Sequence, residues 1–393
     1  MEKKWVNIWG QAHSALSHFY YPSCPKTYRL IINSALSGEK IRIELSNEFA
    51  KNDVCIGGIT VCECNKDGEF IGEYTEITYL SNTSFAIKKG ESLFCDEADF
   101  TVETGKYMAV SIYVEKGELR SGNLLDNAVL LTVKGDMTKT PHIENQRRKR
   151  DKVREVAAGI LHMYLHKPIP LVRSVQVLNT QGASSIAVFG DSLCQQGFWT
   201  NRFEQRIRET YHGRYSVVNK SIMGNRLLHD FSPRFPCKGL FGPSGTKRLE
   251  RDVLSYEDTE YVIITLGTND FLQPGSIAAA KGDTVTASQV FEGMLKVADV
   301  LRDRGIKVIV FNLPMFGECI DSRPHKEKTA IEYNRLLSEN KDRFYAVYDQ
   351  MSRVVNPDKP NCTDKKYLGK DNLHYNKAGG DIVADGIDLD LFG

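Results

Sequence analysis

The hydrophobic pattern of this chain changes period near residue 184, and the change restricts it to two kinds of core. Upstream, apolar and polar residues alternate. In Lys40-Ile-Arg-Ile-Glu-Leu-Ser46, the residues Ile41, Ile43 and Leu45 share one face and Lys40, Arg42 and Glu44 the other, the period-two signature of a half-buried strand. Similar runs at 28–33, 59–64, 74–80, 84–87, 92–95, 107–114 and 128–133 are separated by Gly, Asn, Asp and Lys clusters, at the spacing of roughly 8–12 residues that suits a sandwich or barrel. Residues 1–140 are therefore expected to form an all-β sandwich. Downstream, apolar runs at 186–189, 216–219, 261–266, 307–312 and 344–348 alternate with helical stretches. Strand alternating with helix implies a parallel sheet covered on both faces, and right-handed crossovers then give a three-layer α/β/α sandwich over 183–393. Val290, Met294, Val297 and Leu301 form the apolar stripe of one such helix, ended by Gly305. Residues 141–182 are left as a connector, and a chain of 393 residues is long enough for two domains.

The second half also carries the chemistry. Its first apolar run ends in Gly190-Asp191-Ser192-Leu193, which sets the Ser192 hydroxyl at the carboxyl end of a buried strand, where α/β sheets hold their ligands. A serine is a poor nucleophile until a positioned base takes its proton. Three later stretches offer partners: Ser221-Ile-Met-Gly224-Asn225-Arg226 a flexible turn with a backbone N–H, Leu266-Gly-Thr-Asn269-Asp270 an amide at a strand end, and Asp371-Asn-Leu-His374 a carboxylate and an imidazole three residues apart. A turn can bring residues i and i+3 together, so that the carboxylate fixes the imidazole tautomer. Asp270 is read as a cap for the backbone that follows.

These four blocks, in this order, resemble the SGNH/GDSL serine hydrolases. The match runs over about residues 184–390, in the form with an N-terminal β-sandwich. The resemblance implies a flavodoxin-like five-stranded parallel sheet in the order 2-1-3-4-5, with Ser192 as nucleophile, His374 as general base and Asp371 as its orienting partner. It implies an oxyanion hole built from the Ser192 N–H, the Gly224 N–H and the Asn269 side chain. It also implies esters as substrates and neither a metal nor an organic cofactor. Two positions differ from the common pattern: Cys194-Gln195-Gln196-Gly197 follows Leu193, and Ser221 stands where many relatives have glycine.

Other readings are set beside these. The G-x-S-x-G elbow of the α/β-hydrolases is absent around Ser192. Cys194 as nucleophile is disfavoured, since an extended chain would point it away from Ser192 and no second histidine is poised for it. His162 and His166 stand four apart, as two ligands on a helix turn would, but no carboxylate or thiol sits at zinc-site spacing beside them. Trp5 and Trp9 are read as anchors onto a core in preference to a sugar-stacking platform. The charge run from Glu144 to Lys152 is read as a solvated excursion. Its acidic neighbours, and a chain-wide balance of 51 basic against 50 acidic residues, argue against nucleic acid as a partner.

The chain start lacks an apolar core of the kind a signal peptide needs, and no apolar run approaches the length that spans a bilayer. A cytoplasmic protein with no membrane partner is expected. Nine cysteines without a repeating spacing suit reduced thiols. The expected activity is an esterase or deacetylase acting on short, acetyl esters of a carbohydrate or small metabolite. That preference is read from polar segments thought to rim the cleft, Gln195-Gln196, Asn225-Arg226 and Asp364-Lys-Lys. The loop from Phe231 to Pro243 is the one aromatic-rich exception, read as closing over a sugar face. The N-terminal sandwich is expected to wall one side of the cleft. The alternatives are a carbohydrate-binding protein with an inactive hydrolase-like domain, or a lipase or thioesterase for longer acyl chains.

Overall fold

The computed structural model describes residues 3–16, 25–125, 128–145, 168–230 and 239–393. It divides into two compact units, Met1–Ser185 with Tyr211–Val218, and Ile186–Thr210 with Asn219–Gly393. His162, His166, the basic part of the charge run and the first part of the 231–243 loop lie outside the described residues.

The N-terminal region is largely antiparallel β-sheet, consistent with a β-sandwich. One sheet runs in the order Lys4–Gly10, Val172–Asn179, Gly38–Ser46, Ser92–Phe94, and a second in the order Val129–Lys134, Lys26–Asn33, Tyr107–Lys116, Val54–Cys64, Thr75–Glu76. The alternation read from Lys40 to Ser46 shows in the register: Ile41 pairs with Val177 and Ile43 with Val175. Ile41, Ile43 and Leu45 join Leu30, Ile32, Val61, Val110 and Ile112 of the other sheet in one hydrophobic core. Trp5 and Trp9 both lie on the first strand. Trp9 belongs to the core and packs as the expected anchor, whereas Trp5 is half-buried and carries the Arg42 guanidinium over its face at 4.5 Å.

Three local expectations give way. Val172–Asn179 falls within the stretch read as a connector, yet it is a full strand between Lys4–Gly10 and Gly38–Ser46. Its Val175 and Val177 alternate with Ser174 and Gln176, a period-two signal that was there to be read. The strand expected over 74–80 shortens to Thr75–Glu76, because Leu80 and Ser81 turn left-handed at φ 50° and 62° and Asp96 collects their N–H groups. Glu44, expected on a solvent face, is buried and pairs with Arg173 at 3.4 Å.

The second half contains a five-stranded parallel sheet of β1 (Ser184–Gly190), β2 (Tyr215–Asn219), β3 (Thr259–Thr265), β4 (Lys307–Phe311) and β5 (Ala346–Tyr348). Their order is β2-β1-β3-β4-β5, as the resemblance implied. Every residue of β1 is buried, which explains its continuous apolar run. The helices that matter here are α1 (Ser192–Gln195), α2 (Thr200–Thr210), α3 (Thr268–Leu272), α4 (Ala287–Asp303), α5 (Pro324–Glu339) and α6 (Lys377–Asp385). Helix α4 starts in a capping box between Thr286 and Gln289 and buries Val290, Met294, Val297 and Leu301. It ends where Gly305, at φ 74°, donates to Arg302 O while Ile306 donates to Leu301 O, the Schellman pattern.

Candidate active site

Strand β1 delivers Ser192 to the first position of α1. Asp191 caps that helix, its Oδ1 accepting the Leu193 N–H at 3.0 Å. Gly190 permits the close approach of β1 to its surroundings, since a Cβ there would lie 2.3 Å from Thr265 Oγ1 and 2.6 Å from Cys194 Sγ. Residues 192–195 are helical, so the extended geometry assumed for Cys194 is corrected. Its thiol is buried against Thr265 Oγ1 at 2.6 Å, and burial pushes it up to about 12, which keeps it protonated and unreactive.

The distant block closes on this serine. His374 Nε2 stands 2.8 Å from Ser192 Oγ, and His374 Nδ1 stands 2.6 Å from Asp371 Oδ2. The other carboxylate oxygen, Asp371 Oδ1, accepts the backbone N–H groups of Leu373 at 3.1 Å and His374 at 3.0 Å. The turn passes through Asn372 at φ 56°, a left-handed conformation that asparagine tolerates better than most residues. Partial burial pushes Asp371 upward, but the His374 hydrogen bond, the charge it can carry and the two N–H groups outweigh this and hold the carboxyl down at about 2. In the tautomer with the proton on Nδ1, that N–H donates to the carboxylate and the Nε2 lone pair faces the Ser192 hydroxyl.

Gly224 occupies the third position of a turn closed by the Asn225 N–H on Ile222 O at 3.1 Å, and its φ of 64° is the one such a position demands of a glycine. The Phe241 ring lies flat over it, so that a Cβ at 224 would sit 2.6 Å from three ring carbons. The Ser192 and Gly224 N–H groups make no hydrogen bond among the described residues. Asn269, in the first turn of α3, donates its amide to Asp191 Oδ2 and to Asn225 O, each at 3.1 Å. Its amide hydrogens are thus already engaged, and service to a third acceptor requires sharing. Asp270 does not cap its own helix as expected. It reaches across to the loop after Gly224 and accepts the N–H groups of Leu227 at 2.7 Å and Leu228 at 2.9 Å, and burial holds it up at about 6 against those two bonds.

A second layer went unread in the sequence. Arg248, fully buried, donates to Gly190 O at 3.0 Å, Lys220 O at 2.6 Å and Asn225 Oδ1 at 2.8 Å, and pairs with Asp252 at 3.1 Å. Asn225 in turn donates to Phe241 O and Pro243 O, each at 2.7 Å. The polar rim needs correction for the same reason. Gln195, Gln196, Asn225 and Arg226 are buried, with Asn225 and Arg226 committed to internal hydrogen bonds, Arg226 to Asp283 at 3.1 Å. Of the expected rim, only Lys365 and Lys366 are exposed, with Asp364 half-buried beside them. Among the described residues no group of three or more His, Cys, Asp or Glu could hold a metal ion, and no helix is long and apolar enough to cross a membrane. The seven described cysteines are free thiols.

A serine at a strand end, a histidine on its hydroxyl and a carboxylate on the histidine define a class of hydrolase-like site. The family model of the GDSL-like lipase/acylhydrolase family matches residues 184–382, and the chain belongs to that family. Among solved structures it is similar to an acetylxylan esterase from Geobacillus stearothermophilus, at 18% identity and TM-score 0.41, covering 54% of this chain and 95% of that one. It is likewise similar to a GDSL-like lipase from Bacteroides thetaiotaomicron, at 16% identity and TM-score 0.37, covering 55% and 90%. No curated protein matches the chain.

Proposed function

We propose that the protein is a serine ester hydrolase that removes short acyl groups, acetyl first among them, from a carbohydrate or small metabolite. In this reading Ser192 attacks the acyl carbon as His374 Nε2 takes its proton. Asp371 holds the imidazole in the required tautomer and stabilises its charged form. The oxyanion is met by the Ser192 N–H, the Gly224 N–H and the Asn269 amide. His374 then passes the proton to the departing alcohol, and water repeats the sequence on the acyl-serine. No metal or organic cofactor enters any step. We read the hydrolase half as a three-layer, flavodoxin-like α/β/α fold and the N-terminal half as an all-β sandwich.

The observation that carries the reading is the unbroken chain of contacts from Ser192 through His374 to Asp371, at 2.8 Å and 2.6 Å, beside two unengaged backbone donors. Replacing Ser192 by Ala should lower turnover of p-nitrophenyl acetate by on the order of 10⁴-fold or more, with the thermal midpoint unchanged. A variant that keeps most of its activity contradicts the mechanism. The preference for acetyl is our reading of the polar segment Asp364-Lys365-Lys366, whose two lysines are exposed. An ester series from acetyl to dodecanoyl tests it, and a maximum at octanoyl or longer would make the enzyme lipase-like.

A further inference from the structure

Helix α3 holds the oxyanion turn as well as supplying an amide to it. Asn269 in its first turn and Gln273 at its C-cap stand four residues apart, and so on one face. Both donate to consecutive carbonyls of the turn: Gln273 Nε2 to Gly224 O at 2.7 Å, and Asn269 Nδ2 to Asn225 O at 3.1 Å. Gln273 is buried, and Gly224 is the residue in the turn with the greatest backbone freedom. An N–H can serve an oxyanion only when it is fixed where the charge will appear, within a fraction of an ångström. Gly224 in its turn and Asn269 in helix α3 are 45 residues apart in the chain, and the Gln273 and Asn269 bonds together tie turn and helix into one frame.

We propose that Gln273 is a positioning residue for acyl transfer: by anchoring the Gly224 carbonyl it limits rotation about the glycine, so that the Gly224 N–H on the preceding peptide and the Asn269 amide converge on the reacting oxygen. The proposal rests on the serine hydrolase reading. It does not follow from the family pattern of Ser, Gly, Asn and His, because Gln273 touches neither the nucleophile nor the base.

The test is a pair of variants in the full chain. Gln273→Met keeps the length of the side chain and removes the donor. It should lower kcat on p-nitrophenyl acetate about 10-fold, a fraction of what loss of a whole oxyanion donor gives. KM should stay within two-fold, and binding of phenylboronic acid, which forms a tetrahedral adduct on the serine, should weaken by the same factor as kcat. Gln273→Glu restores a donor only when its carboxyl is protonated. Its activity relative to the parent at the same pH should therefore recover as pH is lowered from 8 to about 4.5, into the ordinary glutamate range. Recovery carried by kcat with KM unchanged marks positioning, whereas recovery confined to KM or to the thermal midpoint marks a side chain that merely packs. A kcat within two-fold of the parent in Gln273→Met overturns the proposal. So does a loss of kcat matched by an equal rise in KM, or a flat pH ratio in Gln273→Glu should the Met variant fail to fold. If the parent enzyme turns over no ester and the Ser192→Ala variant equals it, the serine hydrolase reading itself has failed, and the two failures are told apart.

Discussion

Asp371 divides its two carboxylate oxygens between tasks, one orienting His374 Nδ1 and the other pinning the backbone of the turn that presents it. Asp371→Asn should keep the turn and favour the wrong imidazole tautomer, lowering kcat about 10³- to 10⁴-fold. The pH dependence follows from the same contacts. The folded carboxyl sits at about 2, below its unfolded value of about 3.9. Its contribution to stability is therefore complete above about pH 5 and is lost as pH falls through the folded value near 2. The gap in thermal midpoint between parent and Asp371→Asn should be largest at pH 6 and shrink by pH 3, and a gap that widens on acidification contradicts the assignment. Ser192, Asp371 and His374 were legible because each sits in a short block whose residue types suit one chemistry. Gln273 and Arg248 were not, since what they do is donate to backbone carbonyls 49 and 58 residues away, and a carbonyl leaves no trace in a sequence.

Helix α3 is only five residues long, yet its Asn269 and Asp270, with Gln273 at its C-cap, together hold the segment from Gly224 to Leu228. Asp270→Ala should leave one buried and one partly buried backbone N–H without a partner and cost about 1–3 kcal/mol of stability, measured by urea unfolding. A loss below about 0.5 kcal/mol, the usual range for an uncommitted surface position, contradicts that role. Elements with a strong period were legible: α4 through its stripe and Gly305, and the strand at Gly38–Ser46 through its alternation. The rim was misjudged because polarity was equated with exposure, whereas Asn225 and Arg226 are buried hydrogen-bonding struts. The turn at Leu80 and Ser81 was missed because its positive φ values are imposed by Asp96, sixteen residues from Leu80.

At the scale of the whole molecule, the change of period near residue 184 marks the start of β1 at Ser184 and was fully legible. The division into compact units was less so, because the first unit takes in the separate segment Tyr211–Val218. A cut in the chain at residue 183 therefore splits that unit between two fragments. A fragment of residues 183–393 expressed alone should be poorly soluble or lose at least about 10-fold in kcat/KM, the scale of effect expected when roughly 1.4 kcal/mol of support is removed from a site. A fully active, soluble fragment would show the N-terminal half to be an independent module. The central claim, that Ser192 is an activated nucleophile, is tested most directly by the intact mass of the 393-residue chain after exposure to a fluorophosphonate. One adduct per chain, located on Ser192 and absent from Ser192→Ala, is the expected result. An unmodified parent chain, or equal labelling of parent and variant, would contradict it and favour a binding protein built on a hydrolase-like fold.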